Sequence, residues 1–268
     1  GLPDPTTAVG REPATMTVSD RAEPAVRTLL DAETVAAEAA KIFARLATEK
    51  ARSDGPFRVA LSGGSTPKLL YRLLASDEYR HDIPWEKIQF YFGDERWVPP
   101  TDPDSNYKLA EDELFSKVPK VSPDNIFPMP TEELSPTQAA EQYEATLRRS
   151  FGEPLPRFDL VFLGMGDDGH TASLFPHTSA LHEDRKLVVT HYVEKLKTNR
   201  ITLTAPVLNA AREVVFMVAG ASKAPALREV LQGPANPAEY PSQLLRHSTG
   251  KVTWLIDKAA ASQLHQDK

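Results

Sequence analysis

The turn at residues 164–176, "GMGDDGHTASLFP", carries an acid two residues before a histidine and follows the apolar run "FDLVFL". A carboxylate beside an imidazole can fix the tautomer of the ring and raise its basicity, so Asp168 and His170 are typical of a general base with its orienting partner. The turn after a strand is also where open α/β sheets form their sites. Alternatively, Asp168 caps a short helix over "HTASLF" and His170 only packs. Capping and catalysis are compatible, and the pattern favours acid–base chemistry.

The same turn begins with G-x-G-x-x-G, which is also the outline of a dinucleotide-binding loop. Such a loop brings pyrophosphate against bare backbone, and the carboxylates of Asp167 and Asp168 would repel it. A dinucleotide loop also opens the first βαβ unit of its fold, whereas this turn comes after the middle of the chain. The pattern therefore does not favour an NAD site.

A glycine pair among three hydroxyl residues lies where a strand over "FRVAL" gives way to a helix over "TPKLLYRLLAS". Glycines let the backbone approach a ligand, and a helix N-terminus offers free N–H groups and the positive end of its dipole. A plain capped turn is the alternative, and the absence of a Walker-type Lys-Ser/Thr pair argues against a nucleoside triphosphate. We predict an anion site here, with Thr66 as the helix N-cap. Its residues are Ser62, Gly63, Gly64, Ser65 and Thr66.

Further charged residues follow predicted strands or begin predicted elements. Asp94 and Arg96 follow the strand "KIQFYFG", although a solvated charge cluster is the ordinary interpretation of such a run. Arg200 begins "RITLT". Lys223 begins a helix, where a cation opposes the dipole, so a role other than helix stability is indicated. No spacing of His, Asp or Glu indicates a metal site, and none is predicted.

Strands of Val, Ile, Phe and Leu that alternate with helices predict an α/β fold of three layers, a mainly parallel sheet with helices on both faces. Residues 23–268 are predicted to form one domain, and residues 1–22, rich in Pro, Thr and Ala, a disordered tail. Helices are predicted from Asp31, over "SNYKLAEDELF", "SPTQAAEQYEATLRRSF", "SKAPALREVLQG" and "KAAASQLH". The other strands are predicted over "KIQFYFGDE", "FDLVFLG", "KLVVTHYV", "RITLT", "REVVFMVAG" and "KVTWLID".

Composition narrows the class of protein. The 268 residues contain no cysteine, which excludes disulfides and thiolate nucleophiles and favours a cytoplasmic location. No apolar run approaches the roughly 18 residues of a membrane span, so no membrane partner is predicted. The net charge of −6 argues against nucleic acid and means that local cations must overcome a repulsive background to bind an anion. We expect a monomer or a weak homodimer.

Five motifs, in this order, resemble the 6-phosphogluconolactonases of the wider glucosamine-6-phosphate isomerase/6-phosphogluconolactonase superfamily. They are "LSGGSTP", "GDERWVPPTDPDSNY", "GMGDDGHTASLFP", "RITLTAPVLNAA" and "VAGASKAPAL". The resemblance runs from about residue 26 to the C-terminus. It implies a Rossmann-like, glucosamine-6-phosphate isomerase-like fold with no cofactor or metal. It also implies hydrolysis of a sugar-phosphate lactone, 6-phospho-D-glucono-1,5-lactone, to 6-phosphogluconate in the oxidative pentose phosphate pathway.

The resemblance also implies roles for individual positions. His170 matches the general base of the family, and Asp168 matches its orienting partner. The loop at residues 62–66, together with Arg200 and Lys223, matches phosphate-binding positions. Asp94 and Arg96 match positions that contact the substrate near the lactone.

Two alternatives remain open. Aminosugar-phosphate isomerases and deaminases of the same superfamily carry a Glu shortly after the histidine, in a pattern like G-H-I-A-F-N-E-P, where this sequence has Phe175. A phenylalanine cannot transfer a proton, which argues against that chemistry. A non-catalytic sugar-phosphate sensor would need the loop and the cations but not the pair of Asp168 and His170, so the pair favours an enzyme.

Overall fold

A six-stranded parallel sheet lies at the centre of the structure, a computed structural model that describes residues 23–266. Within these residues the strands are β1 (Ala25–Leu29), β2 (Phe57–Leu61), β3 (Ile88–Phe92), β4 (Asp94–Arg96), β5 (Leu160–Leu163), β6 (Val188–Val193), β7 (Thr198–Leu203), β8 (Glu213–Val218) and β9 (Lys251–Asp257). The parallel sheet has the order β1-β9-β8-β5-β2-β3. Every residue of β5, "LVFL", is buried, as expected for a strand covered on both faces.

The helices of residues 23–266 are α1 (Ala32–Ala51), α2 (Ser65–Leu74), α3 (Asp77–Arg80), α4 (Asn106–Glu113), α5 (Pro136–Phe151), α6 (Ala205–Ala210) and α7 (Ala224–Gln232). Capping residues in the local sequence determine where these helices begin and end. Asp31 caps α1 by accepting a 2.8 Å hydrogen bond from the Thr34 N–H, and Gly152 ends α5 with a φ of 66°. The buried face of α1 packs against β8 and β9. The predicted mainly parallel sheet flanked by helices is confirmed.

A second, antiparallel sheet with the order β4-β7-β6 corrects the prediction for this part of the chain. The segment "KIQFYFGDE" was expected to be one strand, but it divides at Gly93. The Gly93 N–H still donates to the Leu61 carbonyl in the parallel sheet, and its carbonyl accepts from the Leu203 N–H in β7. Because β4 leaves the parallel sheet there, it places Arg96 directly opposite Arg200.

Two segments near the chain ends also differ from expectation. β1 was not predicted, because "AVRTL" pairs only with β9 and its middle three residues are exposed, which leaves no clear apolar pattern. The predicted helix over "KAAASQLH" is wrong, since the chain forms turns there. The Asp257 carboxylate holds these turns by accepting from the N–H groups of Ala260 and Gly220.

The predicted tail over residues 1–22 lies outside the described residues, and the prediction of one domain over residues 23–268 stays a prediction. Among residues 23–266, none of the helices has the length and apolar character needed to cross a bilayer.

Candidate functional site

A cavity of about 260 Å³ opens where β2, β5 and β8 end. Asp168 is the one predicted site residue that does not line this cavity, and it contacts His170, which does. A second cavity, of about 310 Å³ beside Trp254, contains none of the predicted residues. The first cavity is lined by the other predicted residues: Ser62, Gly63, Gly64, Ser65, Thr66, Asp94, Arg96, His170, Arg200 and Lys223.

Asp168 and His170 form a close pair. One carboxylate oxygen, Asp168 Oδ1, accepts a 3.0 Å hydrogen bond from the His170 backbone N–H and lies 2.6 Å from His170 Nδ1. Burial opposes ionisation of Asp168, but hydrogen bonds from His170 and Lys195 outweigh it and hold the pKa of this carboxyl well below its usual range. An ionised carboxylate can only accept, so Nδ1 carries the proton. In the neutral form of the ring the other nitrogen, Nε2, is then the unprotonated one and can act as a base.

The His170 ring is held from two sides. On one side it stacks on Phe175, with 4.2 Å between the ring centroids. On the other side lies Gly166, where a Cβ would collide with the ring atoms Cε1 and Nδ1. The alternative of a short helix capped by Asp168 is wrong, because the segment forms turns and a bridge between Thr171 and Leu174. A ring confined in this way presents its base in one orientation.

The turn that carries the pair is supported by a distant segment. Gly169 adopts a φ of 83°, and its carbonyl accepts hydrogen bonds from Ser242 Oγ at 2.8 Å and from the Ser242 N–H at 2.9 Å. Tyr240 packs so closely that a Cβ on Gly169 would lie 3.0 Å from its ring. Ser242 and Tyr240 were not predicted, since 73 residues separate Ser242 from Gly169 and neither residue belongs to a motif.

The glycine pair and its hydroxyl residues do enclose a helix N-terminus, but Thr66 is not the N-cap. α2 begins at Ser65, and Gly64 is the N-cap residue with a φ of 119° and no side-chain cap. Glycine is needed there because few other residues adopt that φ. Ser62 Oγ is buried and lacks a partner among the described residues. The loop thus offers the uncapped end of a helix and an unused hydroxyl group to a ligand.

Two arginines lie side by side on the cavity wall. Arg96 and Arg200 are paired in the β4–β7 register, and the Nε atom of each is buried without a partner in residues 23–266. Burial and the adjacent charge of Arg96 lower the pKa of Arg200. Both arginines are partly buried, and two adjacent like charges in such a place are costly unless an anion joins them. This pair is therefore the strongest indication of an anionic ligand.

Lys223 reaches the cavity from the N-terminal end of α7. Its Nζ lies 3.0 Å from Asp167 Oδ1, and this ion pair keeps the pKa of Asp167 below its usual value. From the sequence alone, the Asp167 carboxylate was expected to repel an anion. In the structure Lys223 forms an ion pair with Asp167, and this pairing offsets the repulsion that the carboxylate would otherwise exert on an anion in the cavity.

Asp94 and Glu95 are buried and Arg96 is partly buried, so a solvated cluster is the wrong interpretation of the charges after β3. Asp94 Oδ2 accepts a 2.7 Å hydrogen bond from Ser173 Oγ, and Oδ1 lies 3.2 Å from the Asn106 amide nitrogen. Glu95 turns away and accepts four hydrogen bonds from residues 96 and 105–107, although burial raises its pKa. Asn106, which the sequence analysis missed, packs so near Gly63 that a Cβ there would collide with it.

The described part of the chain contains no group of three or more His, Asp or Glu side chains placed to hold a metal ion. The site therefore brings together one partly buried acid–histidine pair, a helix N-terminus and three cations around one cavity. That set can bind an anionic group at one end and supply a base at the other.

Comparison with known proteins gives a consistent assignment. The sequence profile of the family described as glucosamine-6-phosphate isomerases/6-phosphogluconolactonase matches residues 30–254. A 6-phosphogluconolactonase of Synechocystis sp. is 44% identical over 220 residues, which cover 81% of this chain and 88% of the relative. The solved structure of Trypanosoma brucei 6-phosphogluconolactonase has a TM-score of 0.81 at 29% identity and covers 91% of this chain and 99% of its own.

A monomeric glucosamine-6-phosphate deaminase has the same fold, with a TM-score of 0.75 at 25% identity and coverage of 89% of this chain and 99% of its own. Both branches of the superfamily thus share this architecture with the present protein. The profile match covers most of the chain. By sequence and by structure, this chain belongs to the glucosamine-6-phosphate isomerase/6-phosphogluconolactonase family.

Proposed function

We propose that this chain hydrolyses 6-phospho-D-glucono-1,5-lactone to 6-phospho-D-gluconate, the second step of the oxidative pentose phosphate pathway. The observation that carries the proposal is that one cavity is lined both by His170, which is paired with Asp168, and by two arginines whose buried Nε atoms have no partner among residues 23–266. The names of the relatives support it, since those reported from Synechocystis and Trypanosoma brucei are 6-phosphogluconolactonases.

In the proposed reaction His170 Nε2 takes a proton from water as the water oxygen attacks C1 of the lactone. The C1 carbonyl becomes an oxyanion, and nearby cations and N–H groups stabilise it. The bond between C1 and the ring oxygen then breaks, and His170 returns the proton to that oxygen. Asp168 accepts from Nδ1 throughout and stabilises the transient imidazolium. No covalent intermediate is required.

We assign the phosphate to the loop at residues 62–66, Arg200 and Lys223, and the lactone end to Asp94 and Arg96. An uncapped helix N-terminus and fixed cations are suited to a dianion. Asp94 is held by Ser173 and Asn106, so it offers a fixed acceptor to sugar hydroxyl groups. Arg96 lies opposite Arg200 in the β4–β7 pairing, so the two assigned ends of the site are adjacent.

Arg200→Ala and Lys223→Ala are each expected to raise KM by about 10- to 100-fold and to change kcat by less than about threefold. The reason is that the phosphate is bound equally in the ground and transition states, and a hydrogen bond to a charged group is worth about 1.5–3 kcal/mol. Steady-state kinetics with the phosphorylated lactone measures this. Arg72→Ala is the matched control, because Arg72 binds Glu113 outside the cavity. A fall in kcat alone would place either cation at the lactone.

The deaminase alternative makes a different prediction at Phe175. Its ring stacks on His170 and cannot supply the acid–base group that opening an aminosugar ring requires. We therefore expect no ammonia release from glucosamine 6-phosphate at any pH, although this compound should inhibit weakly and competitively through its phosphate. Ammonia assays over a pH series measure the activity. Release at a rate comparable to lactone hydrolysis would overturn the proposed function.

A substrate panel tests the proposal as a whole. The phosphorylated lactone should be consumed rapidly, and unphosphorylated glucono-1,5-lactone poorly, because it cannot use the cations. A sugar-phosphate sensor would instead bind 6-phosphogluconate in calorimetry and accelerate neither reaction. Equal rates with both lactones would remove the role assigned to the phosphate site.

The cytoplasmic location and the monomer or weak homodimer belong to the same proposal. The first rests on the cysteine-free composition, and cell fractionation would test it. Analytical ultracentrifugation over a range of concentrations would test the second.

A further inference from the structure

Lys195 reaches the acid–histidine pair from a separate part of the chain. It lies in the turn between β6 and β7, where a single 3₁₀ turn, Glu194–Leu196, is followed by Lys197 in the left-handed conformation with a φ of 52°. From there Lys195 Nζ contacts Asp168 Oδ2, and it lies 5.5 Å from the centre of the Phe175 ring. Lys195 does not line the cavity.

The two oxygens of Asp168 therefore have different partners. Oδ1 faces His170, through both its Nδ1 and its backbone N–H, whereas Oδ2 faces Lys195. A carboxylate bound at both oxygens cannot rotate about its Cβ–Cγ bond without losing a charged partner. The ammonium of Lys195 thus fixes the plane in which Oδ1 meets the imidazole, which is how an outer partner orients a catalytic pair.

We propose that Lys195 is a positioning residue for the reaction: its ammonium holds Asp168 against His170 and offsets part of the carboxylate charge that would favour an imidazolium. This inference rests on the proposed function, in which His170 must begin the cycle as a free base. Lys195 acts through Asp168 and touches neither substrate nor the reacting atoms.

The charge of Lys195 explains the second part of the proposal. An isolated Asp–His pair stabilises imidazolium, and it would keep the base protonated to a higher pH. A cation on the outer oxygen offsets part of the carboxylate charge that the imidazole experiences. Lys195→Met leaves the identity of every other charged or titratable group around the pair unchanged, so a change in the pH profile that the matched control does not share is assigned to Lys195. Those groups are Asp94, Arg96, Asp167, His191, Arg200 and Lys223.

The test is Lys195→Met, with Lys195→Arg as the conservative variant and Lys197→Met as the matched control. Lys197 is two residues away in the same turn and has no ion pair among residues 23–266. We expect Lys195→Met to lower kcat by about tenfold, leave KM within about twofold, and move the acid limb of kcat to higher pH by about 0.5–1 unit. Lys195→Arg should keep most of the wild-type kcat and an acid limb near that of wild type. Lys197→Met should behave as wild type.

A measurement without substrate separates this inference from the proposed function. Imidazole NMR follows the protonation of His170 directly, with His170→Gln used to assign its signals. The pH midpoint of the His170 imidazole signals should rise in Lys195→Met and not in Lys197→Met, whether or not the lactone is the substrate. Unchanged midpoints and an unchanged kcat would overturn the inference, and so would an effect confined to KM, which would make Lys195 a substrate contact. An inactive wild-type protein with a shifted midpoint would contradict only the proposed function.

Discussion

His170→Ala is expected to lower kcat by about 10²–10⁴-fold, the usual contribution of a general base. The variant should stay folded, because the ring stacks on Phe175 at the edge of the cavity and β5 holds the preceding residues. It should also bind 6-phosphogluconate with nearly the wild-type affinity, since the loop at residues 62–66 and Arg200 are untouched. Kinetics with the phosphorylated lactone and calorimetry with the product measure the two properties.

His177→Ala is the matched control for that variant. His177 lies seven residues along the same segment, but it is exposed and pairs with Glu239 at 2.6 Å outside the cavity. It should keep kcat within about twofold of wild type. Activity of His170→Ala within a few-fold of wild type would remove His170 from the role of base, and a loss of product binding would show that the change had disturbed the whole cavity.

Gly166→Ala is expected to have the second largest effect, although it removes no functional group. Its Cβ would collide with Cε1 and Nδ1 of His170, so the ring must leave its place against Asp168. Because a displaced ring neither keeps its tautomer nor meets the attacking water, we expect kcat to fall by about 10²-fold or more. The crowding should also lower the free energy of unfolding by about 1–3 kcal/mol. Steady-state kinetics and urea denaturation measure these effects.

Gly164→Ala isolates the collision from the general effect of adding a methyl group. Gly164 lies in the same turn, but the nearest atom to its Cβ would be the Met217 carbonyl oxygen, at 4.0 Å. We expect this variant to keep most of the activity. If both alanine variants were equally active, the ring of His170 would not need the position described here. If both were equally inactive, the turn itself would be the sensitive feature.

Much of the site was predictable because its main parts are local in sequence. The loop at residues 62–66 follows a strand and precedes a helix, and Asp168 and His170 lie in one turn. Strand ends and glycine-rich turns are recognisable from a few neighbouring residues, and parallel strands then bring such turns to one edge of the sheet. That is why residues 62–66, 170 and 223 line one cavity, with Asp168 in contact with His170.

What was missed depends on contacts between distant segments. Lys195 is 27 residues from Asp168, and Ser242 is 73 residues from Gly169, and no local pattern links either pair. The wrong N-cap at Thr66 has a backbone cause, since the φ of 119° at Gly64 starts the helix before the threonine. The single strand predicted over "KIQFYFGDE" failed because Gly93 is shared between two sheets. Tertiary pairing decided these features, and a single sequence does not reveal it.

The measurement that tests the central claim most directly is acid release from freshly generated 6-phospho-D-glucono-1,5-lactone at neutral pH. It compares wild-type protein, His170→Ala and buffer alone, so that spontaneous ring opening is subtracted. We predict that the wild-type protein accelerates release by several orders of magnitude over buffer, and that His170→Ala lies close to the spontaneous rate. A wild-type rate no greater than that of buffer would contradict the proposed hydrolysis, and a fully active His170→Ala would contradict its mechanism.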